Sequence, residues 1–93
     1  MTAEHDTTRY FTSYSGVRLP LKLVGELTSE DMRNRNTFYR GSFDAEGRLM
    51  RCEKVVYGEV EVFHDYRYHP DGRLAQALIH DANGEEERLD YPA

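Results

Sequence analysis

Apolar and polar residues alternate with period two along much of this chain. From Val17 to Val24, Val17, Leu19, Leu21 and Leu23 fall on one side of an extended backbone while Arg18 and Lys22 fall on the other, the pattern of a strand with one buried face. Pro20 interrupts it. Proline has no N–H to give a ladder, so this segment belongs at a sheet edge or a bulge. A longer alternation follows, in which Val60, Val62, His64, Tyr66 and Tyr68 oppose Glu59, Glu61, Asp65 and Arg67, and Phe63 alone breaks the polar side. Tyr39, Gly41 and Phe43 make another row, and Leu89 with Tyr91 a last short one.

Glycines punctuate these rows: Gly47, Gly58, Gly72 and Gly84 recur every 11 to 14 residues, the spacing of consecutive short antiparallel strands. Asp44-Ala45-Glu46-Gly47-Arg48, His69-Pro70-Asp71-Gly72-Arg73 and Asp81-Ala82-Asn83-Gly84-Glu85 share one design. In each, a type I turn followed by glycine in the left-handed conformation sends the chain back antiparallel. The spacing predicts strands at 17–24, 36–43, 49–57, 59–68, 73–80 and 86–91. Leu27 to Asn34 instead places hydroxyl residues first, acids next and basic residues last, which suits a short helix. The expected fold is mainly β: a single-domain antiparallel β-meander of six or seven strands, a curled sheet or half-barrel, with one short helix. The domain spans residues 1–93, with 1–8 as a flexible N-terminal tail.

Gly58 to Leu74, with Tyr66-Arg67-Tyr68-His69-Pro70-Asp71-Gly72-Arg73-Leu74, resembles one YD-type unit of the RHS repeat family, and Phe43 to Leu49 a partial second copy. That resemblance implies β-shell units, too few here to enclose anything. Through Ser13-Tyr14-Ser15-Gly16, Leu19-Pro20-Leu21, Arg35-Asn36-Thr37 and Val56-Tyr57-Gly58-Glu59 the chain also resembles short uncharacterised bacterial β-domain proteins of unassigned function, which implies no particular activity.

Composition narrows the chemistry. At 93 residues the chain has room for one modest core. The longest apolar stretch falls far short of the roughly 20 residues a membrane helix needs. MTAEHDTTRY lacks the basic and apolar regions of a secretory signal, so the expected location is cytoplasmic. Cys52 is the only cysteine, which leaves no intramolecular disulfide and reads as a small buried hydrophobe. Net charge is −5, unevenly spread: residues 33–58 carry six basic and three acidic groups, residues 59–93 three and nine. Overall acidity argues against nonspecific nucleic-acid binding, and the asymmetry suits self-association.

His64, His69 and His80 beside Asp65 and Asp81 have the right donor types for a metal, but no two share a spacing that presents paired ligands, so no metal or cofactor is expected. Glu59 and Glu61 read as a solvated strand face, and Ser13 and Ser15 as a polar turn. Arg33, Arg35, Arg40, Arg48 and Arg51, interleaved with Asn34, Asn36 and Tyr39, are side chains that hold anions and stack on rings. Tyr14, Arg33, Arg35, Asn36, Tyr39 and Tyr57 are therefore the binding candidates, with no catalytic residue among them. The leading expectation is a noncatalytic β-domain that acts through protein contacts as a homodimer, using sheet edges that are otherwise blunted. The alternatives are a small-ligand sensor or enzyme with its site in the curl of the sheet, around Tyr14, Arg35, Tyr39 and Tyr57, and single-stranded nucleic-acid binding through the arginine-rich middle.

Overall fold

In the computed structural model, which describes residues 7–16 and 18–92, the three glycine turns close alike. The Gly47 N–H donates to the Asp44 carbonyl at 2.9 Å and the Asp44 N–H to the Arg48 carbonyl at 3.0 Å; His69 to Arg73 and Asp81 to Glu85 repeat the pair. Gly47, Gly72 and Gly84 have φ of 82°, 94° and 83°, the left-handed geometry that glycine takes at least cost. Asp44 and Asp81 lock their turns by accepting two backbone N–H bonds each at Oδ1.

The elements are β1 (Thr7–Ser15), β2 (Lys22–Leu27), α1 (Ser29–Met32), β3 (Thr37–Phe43), β4 (Leu49–Val56), β5 (Glu59–Tyr68), β6 (Leu74–His80) and β7 (Glu86–Asp90). They form one open, antiparallel seven-stranded sheet in the order β2-β1-β3-β4-β5-β6-β7, so the mainly β fold with one short helix stands as read. From β3 to β7 the path is a meander; β1 lies between β2 and β3, and α1 belongs to the connection that passes it. Thr28 starts that helix with a reciprocal capping box: its hydroxyl accepts from Asp31 N–H at 3.1 Å and its N–H donates to the Asp31 carboxylate at 3.0 Å.

Three expectations change. Thr7 and Thr8, assigned to a tail, pair with Phe43 and Ser42, while residues 1–6 lie outside the described residues. Ser13-Tyr14-Ser15 is strand rather than turn, paired with Lys22 to Val24. The strand read at 17–24 begins only at Lys22, and Val17 lies outside the described residues. Its apolar row is nonetheless half-buried: Leu19, Leu21 and Leu23 pack onto Leu49, Cys52, Tyr66 and Ala77. Alternation places side chains on one side of any extended chain, ladder or not, and here most of the row covers the sheet instead of joining it. The strand that follows is an edge strand, as Pro20 implied.

This cover divides the sheet into two faces. The inner face holds Phe11, Cys52, Tyr66 and Ala77, all buried, and the Tyr68 hydroxyl donates to the Leu49 carbonyl at 2.6 Å. The outer face carries an ion-pair chain across neighbouring strands. Arg40 Nε donates to Glu53 at 2.6 Å, Arg51 Nε to the same carboxylate at 3.0 Å, and Arg51 Nη1 to Asp65 at 2.9 Å. Phe63, which broke the polar alternation of β5, stacks on His80 with centroids 4.8 Å apart, and the Arg51 guanidinium lies 4.1 Å from the Phe63 centroid. An aromatic residue among charges is here a platform for a cation and an imidazole.

Candidate functional site

The six candidate residues gather at one end of the sheet, in two groups. That end is formed where β1 finishes, β3 begins and the β4–β5 turn lies. Tyr14 and Tyr39 form the first group. Their rings meet edge to face at 5.6 Å, and with Leu21, Cys52, Lys54, Val62 and His64 they line a cleft of about 190 Å³ beneath the cover segment. Arg33, Arg35, Asn36 and Tyr57 form the second, on the surface. All four are exposed. The Asn36 carbonyl accepts from the Tyr57 N–H at 2.6 Å, which ties the α1–β3 connection to the β4–β5 turn, and Arg35 Nε donates to the Thr37 carbonyl at 3.3 Å. The arginine-rich middle is thus divided: Arg40 and Arg51 are held in ion pairs within the sheet and Arg48 in one across the β3–β4 turn, and only Arg33 and Arg35 stand with the tyrosine. The site in the curl drawn around Tyr14, Arg35, Tyr39 and Tyr57 is therefore two sites, since Arg35 and Tyr57 do not line the cleft.

Tyr57 was read as the last residue of a strand, which ends instead at Val56. Tyr57 and Gly58 have φ of 50° and 82°, so they are the two central residues of a tight hairpin turn in which both need positive φ. Asn, Asp or Gly usually fills the first place. Tyrosine there costs on the order of 1 kcal/mol or more, and its side chain is 75% exposed.

Sequence reasoning missed His64, Lys54 and Cys52 as parts of the cleft. His64 did appear in its alternation, but Lys54 and Cys52 stand on β4, which has no clean alternation, and only the β4–β5 register brings them beside Val62 and His64. Cys52 is inert there: burial pushes its thiol up to about 12, with the Glu53 charge adding to the effect. His64 is fixed by a relay. Leu21 N–H donates to the Tyr66 hydroxyl oxygen at 3.2 Å, and that oxygen lies 2.6 Å from His64 Nδ1. Among the described residues the Tyr66 hydroxyl has no other acceptor, so its buried proton is satisfied only by Nδ1, which leaves the ring proton on Nε2. His64 belongs to the packed inner face, as the alternation implied.

Among the described residues, no three His, Cys, Asp or Glu side chains come together as a metal site. His69 Nε2 lies 2.6 Å from the Tyr91 carbonyl and His80 Nδ1 3.2 Å from Glu86, each in a separate structural contact.

Burial lowers the pKa of His64, opposed only by the Asp65 charge, and Asp65 is engaged by Arg51 on the outer face. The unfolded chain then takes up the proton first, near the ordinary histidine value of about 6.5. Stability is expected to be complete above that pH and to fall as pH drops below it toward the lowered folded value. His64→Phe should flatten this dependence, measured as urea midpoints between about pH 5 and 8. A variant that keeps the wild-type slope would assign the pH dependence to another group.

The family model of a family of unknown function (DUF6156) matches residues 3–93, and the chain belongs to that family. This agrees with the likeness to proteins of unassigned function. The YD-type likeness is not supported: the match runs to another family over nearly the whole chain, and of the letters shared by Phe43–Leu49 and Tyr68–Leu74 the glycine is the one that the left-handed position of each turn requires. No curated protein and no solved structure matches the chain.

Proposed function

We propose that the protein is a noncatalytic β-domain that acts through protein contacts, as a homodimer formed by the surface group at Tyr57. The observation that carries this reading is Tyr57 itself, an exposed tyrosine at a strained turn position whose N–H holds the connection that carries Arg33 and Arg35. Tyr and Arg are the residues that most often dominate binding energy at interfaces.

Edge pairing is the poorer route to self-association. β7 is five residues long and reads Glu86-Glu87-Arg88-Leu89-Asp90, and β2 is bent by Gly25 at φ 74°; charge and kinks are what blunt an edge. Charge complementarity favours a different contact. Residues 81–92 hold Asp81, Glu85, Glu86, Glu87 and Asp90 against Arg88 alone, whereas the other group offers Arg33 and Arg35. A twofold axis that sets the basic group of one copy against the acidic edge of the other makes the same contact twice.

Light scattering coupled to size exclusion at micromolar concentration should give a dimer that dissociates as salt rises. The double variant Arg33→Glu, Arg35→Glu should be monomeric, and mixing it with a Glu85→Arg, Glu87→Arg copy should restore a mixed dimer. A monomer across the whole concentration range for the unaltered chain ends the proposal.

A further inference from the structure

The cleft under the cover segment is distinct from the proposed contact, and its polar groups all point to one ligand chemistry. The Tyr39 hydroxyl and His64 Nε2 have no hydrogen-bond partner among the described residues, yet no buried side-chain nitrogen or oxygen there lacks one. Both atoms therefore open to accessible space, and the cleft is the space that both residues line. The relay from Leu21 through Tyr66 makes Nε2 a donor, not an acceptor. Lys54 adds a cation: its ammonium holds Glu61 at 3.3 Å with further protons to give. The Tyr14 hydroxyl is a further donor on the same wall, and Cys52, a neutral thiol, brings no charge. Leu21 and Val62 supply the apolar part of the lining.

Donors converging beside an apolar wall select an anionic head on an apolar body. Size limits the body, since a cavity of about 150 Å³ accepts benzene and this one measures about 190 Å³. We infer that the cleft is a binding site for a small monocarboxylate with a body no larger than one six-membered ring. The carboxylate accepts from Lys54, Tyr39 and His64 Nε2–H, and the body lies on Leu21 and Val62. Glu61, which does not line the cleft, is the carboxylate that competes for Lys54.

Benzoate is the probe, with benzyl alcohol as a neutral control of nearly equal size, each titrated into the full chain and followed by NMR. Benzoate at millimolar concentration should shift the His64 ring, the Val62 methyls and the Leu21 amide together, and benzyl alcohol should bind roughly tenfold more weakly, the loss expected for one charge-assisted contact. Tyr39→Phe and Lys54→Met should each weaken benzoate by a similar factor while leaving the remaining amide spectrum unchanged. Equal binding of the two probes would overturn the anion assignment. Absence of any shift at His64, Val62 and Leu21 would overturn the site, whatever the oligomeric state proves to be.

Discussion

Tyr66→Ala is expected to lower folding stability by about 3–5 kcal/mol, the cost of removing a large buried ring from a packed interior. Tyr66 is 1% exposed and is the largest fully buried side chain among the described residues. It packs with Leu49, Cys52 and Ala77, the buried cluster onto which Leu19, Leu21 and Leu23 fold. A domain of this size has about 5–15 kcal/mol in all, so the variant should be only marginally folded at room temperature. Tyr66→Phe separates the two parts of the effect. It keeps the ring but leaves the Leu21 N–H and His64 Nδ1 without the hydroxyl that joins them, at a cost of about 1–3 kcal/mol. Urea denaturation of the three proteins measures both steps. A Phe variant as stable as the wild type would show that water replaces the hydroxyl without loss, and that the cover is held by apolar packing alone.

The same residue shows how far the sequence could be read. Tyr66 stood in the row Val60, Val62, His64, Tyr66 and Tyr68 of β5, so its burial was legible, as were the glycine turns, whose requirement for positive φ is local. β1 was not legible, because Thr7 to Ser15 is mostly polar and most of its side chains are exposed, and a strand without a buried row leaves no period-two signal. The cover segment misled for the opposite reason. Leu19, Leu21 and Leu23 repeat as a strand does, but whether an extended chain pairs or lies across a face depends on partners distant in sequence. The candidate site divides the same way. Tyr14 and Tyr39 were found because they are aromatic, and Arg33, Arg35, Asn36 and Tyr57 because of local charge and composition. Lys54 and His64 became parts of the cleft only through the β4–β5 register, to which the bulge at Lys54 and Val55 contributes.

Gly25→Val is expected to cost about 2–5 kcal/mol, the sum of a backbone penalty and an overpacking penalty. Gly25 lies in the edge strand β2 at φ 74°, where a β-branched residue is strained whatever surrounds it. Space is also lacking: a Cβ would stand within 3.2 Å of Thr12 Cβ and closer still to its hydroxyl oxygen, which is held over the strand by a 3.3 Å bond to the Val24 carbonyl. Gly72→Val is the matched control, because its φ of 94° carries the same kind of strain while a Cβ there meets nothing within 4 Å; about 1–2 kcal/mol should be lost. The difference between the two variants, read from urea midpoints, isolates the contact with Thr12. It also has a local consequence. β2 pairs only with β1, and the segment that brings Leu19 and Leu21 over the inner face runs directly into it. Loosening β2 should therefore raise hydrogen exchange at the Leu21 and Val24 amides well before the meander from β3 to β7 responds, and weaken benzoate in the cleft that Leu21 closes. Equal losses in the two glycine variants, with exchange at Leu21 unchanged, would show that Thr12 gives way freely and that the cover does not depend on the edge strand.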